Sequence, residues 1–263
     1  MRRIPAVRAG DAAVTADADP DPMSPRRTGE ITVLLVAMTL PSLVTWTYFV
    51  LLASHAEWSQ QLAYSAGKTL QFGLPLFWIG FVCRQRLVWP APSLRGQTLG
   101  LAFGLVIGAL MWLLYHQLLA PLGVLDTAAE NIRTKVSQVG ITTRGQFVAL
   151  AVFYSVLHAL LEEYYWRWFV FGRLRRLLPS ASAIGLSSVA FMAHHVLVLG
   201  TFFGATSAWT WLFSLAVAVG GAFWAWLYER SGSLYAPWFS HLILDAAIFW
   251  IGYDLVGGLF AAG

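Results

Sequence analysis

Charge is what this chain has least of. Only 11% of its 263 residues are Asp, Glu, Lys or Arg, about half the share of a soluble domain, and this excludes an ordinary water-soluble globule of that length. Cysteine occurs once, as Cys83, so no intrachain disulfide can form and the redox environment cannot be read from it. The first 22 residues, ending Ala-Asp-Ala-Asp-Pro-Asp-Pro, have neither an apolar core nor a periodic pattern. Residues 1–28 read as a disordered tail, with Met23 as an alternative start. There is no His-Glu-x-x-His helix of the zinc-peptidase kind, and no repeat relates the two halves.

Apolar side chains fill the space that charge leaves. They make up 58% of the chain, in runs at approximately 31–53, 66–83, 97–119, 146–171, 182–203, 209–228 and 234–258, each near the roughly 20 residues that cross a bilayer. The fold class is all-α, a polytopic membrane helix bundle of about seven transmembrane helices, or eight if a long run divides. Residues 29–145 read as a scaffold of membrane helices and 146–258 as a catalytic membrane domain.

Basic residues alternate between loops. Arg26 and Arg27 precede the first run; Arg84, Arg86 and Arg95 join the second to the third; Arg173, Arg175 and Arg176 join the fourth to the fifth; Arg230 joins the last two. The opposite loops hold Lys68, Arg133, Lys135 and Arg144. Because loops on the cytoplasmic side retain positive charge, the N-terminus is expected inside and the C-terminus outside; the twin arginine after Met23 and the short loops have the look of a bacterial inner-membrane protein. The net charge of +4 is accounted for by this asymmetry, and no nucleic-acid partner is expected. Gly96, Gly100, Gly104 and Gly108 recur every four residues and predict a smooth face on the third helix for close packing. Residues 121–145 read as an exposed loop with a short amphipathic helix whose charges face solvent.

Six residues do not suit lipid, yet lie in the most apolar half: Glu162, Glu163, Arg167, His195, His241 and Asp245. Such groups persist in a membrane where they pair, line a cavity or do chemistry. Glu163 and Arg167, four apart on one helix, are expected to neutralise each other as a structural ion pair. Glu162 points about 100° away and, without a cation of its own, is placed to act as a general base. His241 and Asp245 are also four apart, so the carboxylate could hold the imidazole in one orientation. His158, one turn before Glu162, reads as a packing residue.

Taken in order, Glu162-Glu163-x-x-x-Arg167, Phe191-x-x-x-His195 and His241-x-x-x-Asp245 resemble the CPBP intramembrane proteases. That family includes type II CAAX prenyl endopeptidases and bacterial relatives of the Abi and lysostaphin-resistance-like kind, and the similarity spans about 146–250. The resemblance implies that Glu162 and His195 activate a water molecule, while His241 and Asp245 stabilise the oxyanion or orient the site. The expected partners are a membrane-associated protein or peptide substrate and the lipid bilayer. Of the adjacent pair His194 and His195, the family spacing selects His195 for the site. The prenyl endopeptidases carry Asn where this chain has Asp245, and an ionised Asp cannot donate a hydrogen bond as an amide does.

Three other readings stand beside this one. A zinc-dependent protease would use Glu162, His195 and His241 as metal ligands, although the expectation is that no cofactor is needed. Buried carboxylates and histidines also serve proton-coupled transporters. A non-enzymatic immunity or scaffold protein would be expected to have lost a motif residue, and none is missing.

Overall fold

The computed structural model describes residues 25–87, 94 and 96–260, and among them every regular element is helical. The helices are α1 (Arg27–Leu51), α2 (Glu57–Phe77), α3 (Gln97–Leu119), α4 (Asp126–Gln138), α5 (Arg144–Leu177), α6 (Ser180–Phe203), α7 (Ala208–Ser231) and α8 (Tyr235–Phe260). The protein is an integral membrane protein built as an all-α bundle. Six of these helices, all but α2 and α4, are long and apolar enough to span a bilayer. The sequence reading counts α2 as a seventh. It has the length, continuing through a π turn at Trp78–Val82, but Gln60, Gln61, Lys68 and Gln71 dilute its apolar character.

The N-terminal tail reading holds less of the chain than expected, because helix begins at Pro25. Residues 1–24, with Met23, lie outside the described residues, as do Arg95 and Trp89. The scaffold helices do not form a separate layer. α1 packs on α6, and α3 runs along α8.

Large apolar side chains such as Leu35, Leu43, Leu105, Phe81 and Trp250 are exposed on the outside, as befits a protein whose solvent is hydrocarbon. Helix α5 supplies the centre, where Tyr165, Trp166, Arg167, Phe169 and Val170 are almost fully buried. One of its contacts follows from a proline. Pro41 within α1 has no N–H to give, which frees the carbonyl four residues earlier, and a bare carbonyl is costly in a membrane. The hydroxyl of Tyr165 donates to that carbonyl, on Ala37, at 2.8 Å. The break in α1 is thereby repaired and α1 is fastened to α5.

The glycine face of α3 is where the sequence places it, turned to α8. Gly100, Gly104 and Gly108 are buried. A Cβ on Gly100 would lie 2.5 Å from the Ala236 carbonyl oxygen, and one on Gly104 3.1 Å from that of Ser240. Those two carbonyls belong to the turn that carries His241, so the smooth face sets the position of a site residue.

At one end of the bundle the charges pair. Arg173, read above as a loop cation, is instead buried against Glu30 of α1, with its other amino group 3.8 Å from Cys83 Sγ. Arg175 meets Glu229 at 2.6 Å, and Ser180 donates to the same carboxylate. At the other end α4 lies across the bundle. Its cations are not simply solvated: Arg133 donates to the Leu255 carbonyl at 3.0 Å, and Lys135 reaches Gln60 Oε1 at 3.3 Å while standing 4.3 Å over the Tyr48 ring.

Candidate active site

Three helices deliver the polar residues to one place in the interior. From α5 come Glu162 and Glu163, 3% and 0% exposed, and Arg167 at 2%. The Arg167 Nε lies 3.1 Å from Glu163 Oε2, the pair expected from their spacing. The guanidinium also stacks over the rings of Phe191 (4.7 Å) and Trp224 (5.1 Å), so its remaining charge meets two electron-rich faces. Gly221 of α7 makes room for it, since a Cβ there would come within 3.6 Å of the guanidinium and 3.1 Å of Phe191.

Glu163 does more than neutralise Arg167. Its other oxygen, Oε1, lies 2.8 Å from His241 Nδ1. An ionised carboxylate only accepts, so the imidazole must donate. This corrects the expectation for Asp245. The group that holds His241 is Glu163, on a different helix, whereas Asp245 Oδ1 stands 3.6 Å from the opposite ring nitrogen, Nε2. That same Nε2 is 3.8 Å from Glu162 Oε2. The imidazole lies nearly parallel to the Trp224 indole, centroids 4.1 Å apart, and the indole is fixed in turn by its N–H donating to Ser240 Oγ at 3.0 Å.

The second carboxylate, Glu162, meets α6 through His194, not through His195 alone. His194 Nε2 lies 3.5 Å from Glu162 Oε1, and its ring stacks parallel to Trp166 at 5.9 Å. The family spacing selects His195, but the histidine in contact with Glu162 is its neighbour His194; the two rings are 4.1 Å apart. His195 Nδ1 is 3.0 Å from the Phe191 carbonyl. A carbonyl accepts, so Nδ1 carries the proton and the neutral ring has its lone pair on Nε2.

The assembly is therefore two carboxylates side by side on α5, each touched by a histidine from another helix. It offers a buried carboxylate in Glu162, a ring lone pair on His195 Nε2, and in His241 a ring bonded to Glu163 through Nδ1 and flanked at Nε2 by Asp245 and Glu162. For the alternative zinc set Glu162, His195 and His241, no group of three or more His, Cys, Asp or Glu side chains among the described residues has the arrangement of a metal site.

The family described as type II CAAX prenyl endopeptidase Rce1-like matches residues 144–247, from the start of α5 to just past Asp245. The match covers less than half of the chain and supports, for this segment, a likeness to the CPBP and CAAX protease family. No curated protein and no solved structure shows a significant match to the chain. The matched span contains all the residues assembled above, and the family's activity class is hydrolysis of peptide bonds by a membrane-embedded endopeptidase.

Sequence reasoning missed two participants. Trp224 is one of thirteen tryptophans, and nothing in its spacing marks it. Lys68, assigned above to a loop, lies in the middle of α2 with its charge within reach of Glu162. A lysine in the interior of an otherwise membrane-length helix was the available signal.

Proposed function

We propose that the chain is an intramembrane endopeptidase of the glutamate type, acting on a membrane-associated protein or peptide. The observation that carries this reading is the buried carboxylate of Glu162 in contact with His194 and facing His241, which brings groups from α5, α6 and α8 to one point.

In this mechanism a water molecule is held between Glu162 and His195 Nε2. Glu162 withdraws a proton from it as the water oxygen attacks the scissile carbonyl, in a site from which bulk water is excluded. A His241 ring protonated at both nitrogens would donate from Nδ1 to Glu163 and offer Nε2–H to the developing oxyanion. Glu163 acts as a positioning residue, fixing the imidazole while Arg167 balances its charge. Asp245 stands beside Nε2 and restrains the same ring. His194 holds the Glu162 carboxylate, and the proton taken from water passes to the leaving amine.

The orientation proposed is N-terminus inside, in a bacterial inner membrane. The deciding experiment combines metal analysis of detergent-purified protein with cleavage of a prenylated CAAX-type peptide by wild type and Glu162→Gln, with and without chelator. Cleavage by metal-free wild type that Glu162→Gln lacks is the expected result. Stoichiometric zinc with chelator-sensitive cleavage would overturn the glutamate mechanism.

A further inference from the structure

Helix α2 presents a wall to the site whose polar groups the protein itself does not satisfy. Lys68 is half-buried in mid-helix, its ammonium 5.6 Å above the Tyr64 ring and 5.5 Å above that of Phe72. Ring faces attract a cation but do not neutralise it. Among the described residues no carboxylate or hydrogen-bond acceptor is in contact with this ammonium, and the charge it feels is that of Glu162, across a gap.

Helix α5 faces this side of α2. Phe72 meets the ring of His158 edge-on at 6.1 Å, and His158 lies one turn before Glu162. The Nε2 of His158 is buried with no partner. On α2, Gln71 is fully buried and both its amide atoms are unpartnered. Positions 64, 68 and 71 fall within about 60° of one another around a helix, so these groups share one side of α2. Buried polar groups normally find partners, and an uncompensated ammonium in a membrane costs several kcal/mol. Of these, Lys68 and His158 lie near Glu162, and together they leave a place for an anion that arrives with the substrate.

Resting on the protease reading, we propose that Lys68 and His158 form a carboxylate-binding subsite for the substrate next to Glu162. The ammonium is framed on two sides by aromatic rings, so a carboxylate would approach along the remaining open direction, with His158 Nε2 as a second donor once that nitrogen carries its proton. The subsite restricts where cleavage falls. An extended residue covers at most about 3.6 Å, so a carboxylate held this close to Glu162 lies only a few residues from the cut bond. It also differs from a service role in which Lys68 merely sustains the charge of Glu162. A service role affects all substrates alike, whereas a subsite discriminates among them.

The test uses the purified full-length protein and three prenylated fluorogenic peptides of one sequence: a C-terminal free acid, the corresponding amide, and an amide whose last residue is Glu. Wild type is expected to cleave the free acid with a kcat/KM about tenfold above that of the amide, as befits one charge-assisted contact. Lys68→Met should bring that ratio to about one, and Lys68→Arg should preserve most of it while showing that the helix tolerates substitution. The Glu-ended amide assigns the carboxylate: cleavage as fast as the free acid means that a side chain suffices, and cleavage no faster than the amide confines the subsite to the chain terminus. A wild-type ratio near one, or a ratio that Lys68→Met leaves unchanged, would overturn the subsite and leave the protease reading intact. Failure of wild type to cleave any of the three would remove the protease reading, and the subsite with it.

Discussion

Removing one member of the Glu163–Arg167 pair should cost far more than removing both. The two charges lie 3.1 Å apart with 0% and 2% of their side chains exposed, so neither can recover hydration when its partner is lost. Breaking such a pair from one side costs about 3–5 kcal/mol, whereas replacing both partners by apolar residues is often neutral. The structure orders the two single variants. After Arg167→Met, Glu163 keeps its hydrogen bond from His241, and a bond to a charged group is worth about 1.5–3 kcal/mol. After Glu163→Leu, Arg167 is left with the rings of Phe191 and Trp224 and no carboxylate in contact. Arg167→Met should therefore fall near the lower end, about 3 kcal/mol, and Glu163→Leu near about 5. At about 2–4 °C per kcal/mol for a chain of this size, these become midpoint losses of roughly 6–12 °C and 10–20 °C. Thermal unfolding of detergent-solubilised protein, followed by the fluorescence of its thirteen tryptophans, reads them directly. The Glu163→Leu/Arg167→Met double variant should regain most of the lost stability yet remain inactive, since His241 Nδ1 would have lost its acceptor. Losses below about 2 °C for both single variants, or a double variant whose loss is the sum of the two, would refute the argument.

Other substitutions separate roles that proximity alone does not. Removing the base with Glu162→Gln should lower cleavage of a prenylated peptide by about 10²–10⁴-fold with little change in the melting midpoint, and a variant within threefold of wild type would remove Glu162 from the mechanism. His195→Ala should abolish cleavage, whereas His194→Ala should reduce it less and lower stability by leaving Glu162 without its neighbour; the reverse order would exchange their roles. Asp245→Asn should retain part of the activity, because Glu163 rather than Asp245 anchors the His241 ring, and complete loss would assign Asp245 a direct chemical part. Gly100→Leu should lower both stability, by about 1–3 kcal/mol, and the cleavage rate, because the side chain would meet the Ala236 carbonyl and displace the turn bearing His241; unchanged kinetics would show that α3 does not position that helix.

The long apolar runs and the Glu162, Glu163, His241 and Asp245 motifs were legible in the sequence because they depend on local properties. Run length is set by bilayer thickness, and a spacing of four is set by the helix itself. Gly100 and Gly104 were legible for the same reason, though which helix they face was not. Relations between helices were hidden. Nothing local distinguishes Asp245, one turn from His241, from Glu163, 78 positions away, as the group that holds the ring. Spacing alone could not say which of His194 and His195 touches Glu162, because a step of about 100° separates the two rings without fixing which one turns toward α5; the contact is made by His194. Lys68 was misassigned because the second apolar run, read as 66–83, starts only two residues before it, so the lysine was counted with the preceding loop, whereas the helix begins at Glu57.

The double use of Glu163 joins stability to chemistry. One oxygen is held by Arg167 and the other by His241, so a carboxylate required for packing also fixes the imidazole. Glu162, on the adjacent position, has among the described residues no lysine or arginine in contact, and meets the imidazoles of His194 and His241 at 3.5 and 3.8 Å. Two neighbouring carboxylates thus receive different treatment: one is paired with a cation, and the other is left with groups that exchange protons. A hydrolase needs this division, because the ion pair keeps the charged residues inside the membrane while the uncompensated carboxylate remains available to water. It follows that a charge-neutral swap moving the arginine to the partner of Glu162 would preserve net charge and abolish turnover.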